Sequence, residues 1–217
     1  MYAGDAARAA YILRRYDAGL ADLYSNSAVR AMAYAEAQWA TNFYAMTTSA
    51  SNAVRDARNL AAIEMFRLTK DPAWHAVFVA TSLIGSDAAE PEGAGYDQAD
   101  AMFTYLRTPS GTSTTLRRRY THSLTNFART MAWGAYQSAF GWTRQNHWIP
   151  IGWGFITGAE FEYMLRAYAL SGDEYFRNAT IRALQFSSGA NPLNRAFTVG
   201  LGTNSIRLPL FVDSVML

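Results

Sequence analysis

The 217-residue sequence contains no cysteine. That excludes a disulfide framework, a thiolate metal site and a cysteine nucleophile, and it leaves the compartment open. An excess of charge is missing too. Nineteen basic side chains face seventeen acidic ones, for a formal charge of +2, too balanced for a nucleic-acid groove or a polybasic membrane surface. No stretch reaches the roughly eighteen apolar residues that a membrane span needs. The opening MYAGDAARAAYILRRYD has no charged segment followed by a continuous apolar one, so it reads as helix rather than signal peptide, like a chain that begins inside a fold. There is no Walker loop, GxGxxG, HExxH or GxSxG. Only three histidines occur, His75, His122 and His147, and they share no metal-ligand spacing.

Apolar residues are abundant, at half of the chain, enough for a sizeable core in one domain or one lobe of a larger domain. Aromatics reach 14%, with thirteen Tyr, twelve Phe and six Trp. Such rings fill cores first, and an excess also suits clefts in which ring faces stack on sugar C–H faces.

Hydrophobic spacing predicts an all-α chain of about eight helices. A first helix is expected over residues 6–23, broken by Ser25-Asn26-Ser27. A second is expected over 28–46, with Ala31, Ala35, Trp39 and Phe43 four apart on one face. Helical periodicity returns over 53–68, and Asp71-Pro72 reads as an N-cap and first turn. Residues 85–98 form a Gly- and acid-rich loop, solvated or cation-binding. Helices over 98–106, 117–140, 158–170 and 173–186 follow, and Arg117-Arg118-Arg119 reads as a solvated face. Residues 65–74 and 167–176 repeat one pattern: helix, hydroxyl, one residue, Asp, then a helix opening on an aromatic. Arg15-Tyr16-Asp17 is a weaker third copy. Repeated helix–turn–helix units imply stacked αα-hairpins, as an open solenoid or a closed toroid.

Two segments leave helical periodicity. GWTRQNHWIPIGWGF, residues 141–155, is a Trp- and Gly-rich loop in which His147 is placed to meet a substrate hydroxyl, whereas His75 and His122 read as structural. SSGANPLNRAFTVGLGTNSIRLPLFVDS, residues 187–214, is a functional-loop candidate by its Gly, Asn and Pro content.

This last segment resembles the end of the catalytic domain of family 9 glycoside hydrolases, inverting cellulase-type enzymes with an (α/α)6 barrel. Gly189-Ala190-Asn191-Pro192, Thr198-Val199-Gly200-Leu201-Gly202 and Pro209 stand in that family's order. Residues 167–176 are similar to its "AY-ltGd-Y" hairpin, residues 60–71 to its "AAELyraTgd" helix, and Tyr16-Asp17 with the following Ala-rich helix to a further segment. The resemblance implies a partial αα-hairpin toroid and a glycoside hydrolase acting on β-linked glucan, with an oligo- or polysaccharide as partner. It implies Trp142, His147, Trp148 and Trp153 as stacking and hydroxyl contacts, with Asn191, Arg195 and Arg207 around the last loop. Both arginines could equally pair with acidic neighbours.

Departures bear on catalysis. Tyr16-Asp17-Ala18-Gly19-Leu20 matches the family's "DAGD" base motif by letters but lacks the second Asp, and Leu210-Phe211-Val212 stands where characterised cellulases carry His-His-Arg. The acid and base carboxylates are therefore expected outside residues 1–217, and the catalytic residues are unassigned. No cofactor is expected; calcium is common in the family, but no complete ligand loop is visible. Exposed helix faces predict self-association. Secretion or a periplasmic location would follow from polysaccharide degradation. The alternative is a non-catalytic helical-repeat module that binds carbohydrate or serves as a scaffold.

Overall fold

The computed structural model describes residues 1–42, 48–93, 95–143, 161–196 and Asn204. Among these residues are eight helices and one short ribbon: α1 (Tyr2–Leu13), α2 (Ala18–Asn42), α3 (Thr48–Thr69), α4 (Pro72–Thr81), β1 (Glu92–Gly93), β2 (Tyr96–Asp97), α5 (Ala99–Arg107), α6 (Thr114–Gln137), α7 (Glu162–Ser171) and α8 (Glu174–Ser187). The chain divides into two compact units, Met1–Ser123 and Leu124–Leu217. No described helix is long and apolar enough to cross a membrane.

In the first unit, α1 buries Ala3, Ala6, Ala7 and Ala10 and packs on α2 and α3. Small residues permit a close crossing. A Cβ on Gly4 would stand only 3.1 Å from the Ala61 Cα of α3. Phe78 of α4 stacks on Tyr105 of α5 at 4.9 Å, and Tyr120 of α6 meets both edge-on. These geometries favour aromatic pairs beyond simple burial. The fully buried Glu64 of α3 takes Arg8 of α1 and Arg67 at 2.7 Å each, and accepts from Thr104 of α5 at 3.1 Å. Three helices are joined by that one carboxylate.

Two expectations change. The first break lies at residues 14–17, not at Ser25-Asn26-Ser27, which sits inside α2. Asp17 accepts from the Leu20 amide at 2.9 Å and opens the helix there. The buried Ala21, Ala28 and Met32 carry α2 straight through the polar triplet, so tertiary packing overrides its weak propensity. On the expected stripe Ala31 and Trp39 are half-buried and Ala35 is exposed, while Phe43 lies outside the described residues. Arg117, expected on a solvated face, instead donates to the carbonyls of Leu106 (2.7 Å), Thr108 (3.3 Å) and Tyr105 (3.4 Å). Those are orphan acceptors at the end of α5, and a cation suits a helix C-terminus.

In the second unit, the latter part of α6 buries Leu124, Ala128, Met131, Ala132 and Ala135. Helix α7 buries Tyr163, Met164 and Ala167, and α8 buries Phe176, Ala179, Ala183 and Phe186. Arg182 of α8 donates to the carbonyls of Ala135 (2.7 Å) and Ser138 (3.2 Å), closing the end of α6.

The repeated turn appears once in each unit with the same bonds. Thr69 Oγ1 donates to Met65 O and accepts from Asp71 N; Ser171 Oγ donates to Ala167 O and accepts from Asp173 N. Asp71 and Asp173 then each accept, at 2.9 Å, from the amide two residues on. The intervening residue is left-handed in both, Lys70 at φ 63° and Gly172 at φ 69°.

Candidate functional site

The described part of the site is built where α8 ends. Ser188 caps the helix, Gly189 follows at φ 125°, and the Ala190 amide returns to Gln185 O at 2.8 Å. Asn191, 5% exposed, then organises the turn. Its Nδ2 donates to Phe186 O and Arg195 O, both at 2.7 Å, while its Oδ1 accepts from Leu193 N at 3.0 Å and Arg195 N at 3.4 Å. Both amide hydrogens are spent inside the turn, so Asn191 acts here by positioning. The turn exposes Leu193 and Arg195. Asn194 is left-handed at φ 49°, and Asn204 holds it by donating to its carbonyl at 2.6 Å.

Trp142 stands after α6. Its ring meets that of Phe186 at 5.0 Å, tilted by 58°, and its carbonyl accepts from Ser138 Oγ at 3.1 Å. Phe186 therefore joins two of the residues expected at the site: its ring holds Trp142 and its carbonyl holds Asn191. The backbone before Trp142 needs glycine. Gly141 has φ 74°, and a Cβ there would lie 2.5 Å from Arg182 O; a Cβ on Gly134 would lie 2.6 Å from Thr143 O. Trp142 remains half-buried, with part of its surface open. His147, Trp148, Trp153 and Arg207 lie outside the described residues.

Phe186 and Arg182 were not singled out by sequence. Phe186 reads as one more core aromatic; Arg182 carried a signal only in retrospect, as a cation facing a helix end.

The remaining polar candidates lie in the first unit. Ser113 N donates to the Tyr105 hydroxyl at 2.7 Å, which leaves that hydroxyl's proton for His75 Nε2 at 3.0 Å. His75 is thus held as an acceptor, and burial lowers its pKa below the ordinary 6.5. His122 Nδ1 lies 3.0 Å from Asp87 O, an acceptor, so that nitrogen carries the proton. In the acidic loop, Asp87 pairs with Arg118 and stands 3.7 Å from Arg119, Asp97 caps the Ala99 amide at 3.0 Å, and Asp100 lies 3.8 Å from Arg8. Asp56 of α3 accepts from Asp97 N at 2.8 Å, and burial raises its pKa. Among the described residues no three His, Asp or Glu side chains converge as metal ligands. A separate cleft of about 590 Å³ lies between α1, α2 and α3, walled by Tyr2, Met32, Tyr34, Trp39 and Val54. On its rim Arg58 pairs with Glu36 and lies 4.6 Å over the Trp39 ring.

Comparison with known proteins identifies the family and the fold. The profile described as Glycosyl hydrolase family 9 matches residues 1–210. Among solved structures, a metagenome-derived glycoside hydrolase family 9 endoglucanase is similar at 22% identity and TM-score 0.79, over 96% of this chain and 39% of its own. A thermostable endoglucanase from Alicyclobacillus acidocaldarius, solved as a single mutant, gives 21% and 0.74 over 96% and 40%. A Bacteroides ovatus family 9 structure gives 19% and 0.74 over 94% and 41%. At such identities the likeness shows the fold, all-α and built of αα-hairpins as expected. The chain spans about two fifths of the length of these structures. No curated protein matches the chain.

Proposed function

Because the chain belongs to glycosyl hydrolase family 9, we propose that it forms one wall of the substrate cleft of a cellulase-type glycoside hydrolase acting on β-linked glucan. The observation that carries this reading is the braced Trp142. The Phe186 ring lies against its ring, the Gly141 turn and the Ser138 hydroxyl hold its backbone, and part of its surface stays open. An indole held in that way offers a flat face for a pyranose without ordering cost at binding. Arg195, exposed on the adjoining turn, supplies donors for hydroxyl groups. His147, Trp148, Trp153 and Arg207 complete the contact set in this reading.

The chemistry would be inverting hydrolysis. One carboxylic acid protonates the leaving glycosidic oxygen and one carboxylate, roughly 6.5–9.5 Å away, activates water on the opposite face of the sugar. Both carboxylates belong outside residues 1–217. Asp17, the only letter match to a base motif, uses Oδ1 to cap the Leu20 amide of α2.

The test combines calorimetry with reducing-sugar assays on carboxymethylcellulose and mixed-linkage β-glucan. The 217-residue chain is expected to bind cellohexaose without releasing reducing ends. Trp142→Ala should weaken that binding about tenfold, and Asp17→Ala should leave it unchanged. Turnover lost in Asp17→Ala would make Asp17 the base and overturn the assignment. No cellohexaose binding at all would sink the cleft reading.

A further inference from the structure

We infer that Trp133 and Tyr136 on the exposed end of α6, with Phe140 in the turn after it, form a polysaccharide track that precedes Trp142 in the chain and holds a β-glucan beyond the cleft. The inference rests on the cleft reading above and adds a second, non-catalytic binding surface. Aromatic side chains usually bury most of their area, yet Trp133 is 49% exposed, Tyr136 38% and Phe140 43%. Trp133 and Tyr136, at i and i+3, share one face of the last turns of α6, and Phe140 stands exposed in the turn that follows the helix.

The middle ring is fixed from beneath. Tyr136 lies against Tyr175 of α8 with centroids 5.2 Å apart and planes 26° from parallel, and its hydroxyl donates to Tyr175 O at 3.5 Å. The Arg182 guanidinium lies 5.9 Å from the same ring. The same Arg182 closes the end of α6 before the Gly141-Trp142 corner, so track and cleft share one support.

The face is mixed rather than oily. Exposed Arg129, Thr130 and Gln137 lie among the rings, and a Glu174–Arg177 pair at 2.6 Å flanks Tyr175. Flat rings set between hydrogen-bonding groups suit a chain with apolar C–H faces and equatorial hydroxyls. An aliphatic helix ridge would want a continuous apolar stripe instead.

The experiment compares a long ligand, soluble mixed-linkage β-glucan, with a short one, cellotriose. Both are tested on the 217-residue chain, Trp133→Ala, Tyr136→Ala and Trp142→Ala by affinity electrophoresis and calorimetry, with thermal melting as the fold control. The two track variants should lose about tenfold in β-glucan affinity while cellotriose affinity stays within twofold of the original. Trp142→Ala should weaken both ligands. Unchanged β-glucan affinity in both track variants overturns the track and leaves the cleft standing. Equal loss of both ligands with unaltered melting overturns it as well, since the rings would then act through the cleft. A concentration-dependent dimer abolished by Trp133→Ala would make the face a contact between copies and overturn it too. Failure of the unsubstituted chain to bind either ligand removes cleft and track together.

Discussion

At the scale of single residues, the two copies of the Asp-capped turn provide an internal control. Lys70 and Gly172 occupy the same left-handed position, and only glycine does so without Cβ strain. Space around Gly172 is open, so Gly172→Ala should cost about 1 kcal/mol from the backbone alone. Lys70→Gly should return about 0.5–1 kcal/mol, less the weak pull of its ammonium on the Phe66 ring 5.9 Å away. In thermal melts these changes should appear as shifts of opposite sign, about 2–4 °C each. His75 supplies a second residue-scale prediction. Burial depresses its folded pKa below 6.5, so above that pH its ring is neutral in folded and unfolded chains alike and its contribution is complete. As pH falls below 6.5 the unfolded chain takes the proton first, and stability drops until the folded ring also protonates. His75→Gln, which still offers the Tyr105 hydroxyl an acceptor, should flatten the melting temperature between pH 6.5 and the onset of carboxylate titration. An unaltered slope would place the sensitivity elsewhere.

At the scale of elements, what was legible in the sequence depended on how local its cause is. The hydroxyl–x–Asp turns are made within a few residues, and they appear where the letters place them. Helices α5 to α8 fall within about four residues of their expected bounds. The Ser25-Asn26-Ser27 break failed because Ala21, Ala28 and Met32 are buried where α2 packs back on its neighbour α1, a tertiary contact that the triplet itself does not signal. Arg117 was misread for the same reason: its acceptors belong to α5. At the site, the Asn191-Pro192 turn was readable, whereas the Phe186 contact beneath Trp142 was not, since no local pattern tells which core ring faces a loop. Glu64 shows how strongly such distant contacts bind elements. Glu64→Gln leaves the Arg8 and Arg67 charges facing a neutral group at the meeting of α1, α3 and α5, and should cost about 3 kcal/mol by urea unfolding. The environment of the two cations already differs. Burial lowers Arg67's pKa against the attraction of Glu64, whereas for Arg8 burial is outweighed by the hydrogen bond and charge of Glu64. Arg67→Met should therefore be the milder change, and an equal cost for both would show that packing rather than charge holds the junction.

At the scale of the whole molecule, solubility follows from charge and surface together. A formal charge of +2 gives weak mutual repulsion, and the sequence isoelectric point near 8.9 puts mildly alkaline buffers close to neutrality. Tyr16 precedes α2 at 81% exposure, and Leu20, Leu23 and Tyr34 continue along that helix at 38%, 62% and 69%. Leu23 and Tyr34 lie three and fourteen residues after Leu20, so the three fall on one face of α2 between Leu20 and Tyr34, interrupted by the polar side chains at Ser27 and Arg30, with Tyr16 exposed in the turn before it. Stripes of that kind on a nearly uncharged protein favour association. The expected result is a weight-average mass, by sedimentation, that rises with concentration and rises further as pH moves from 7 toward 8.9. Leu23→Asp should bring the mass back to that of a single 24.0 kDa chain, because it places a carboxylate within the stripe and removes its most exposed aliphatic surface. Adding salt separates the causes. If the stripe drives association, raising salt from 0.1 M to 0.5 M preserves or strengthens it, since screening removes only the weak repulsion. Dissociation on adding salt would mean that paired surface charges hold the copies together and that the α2 stripe is idle.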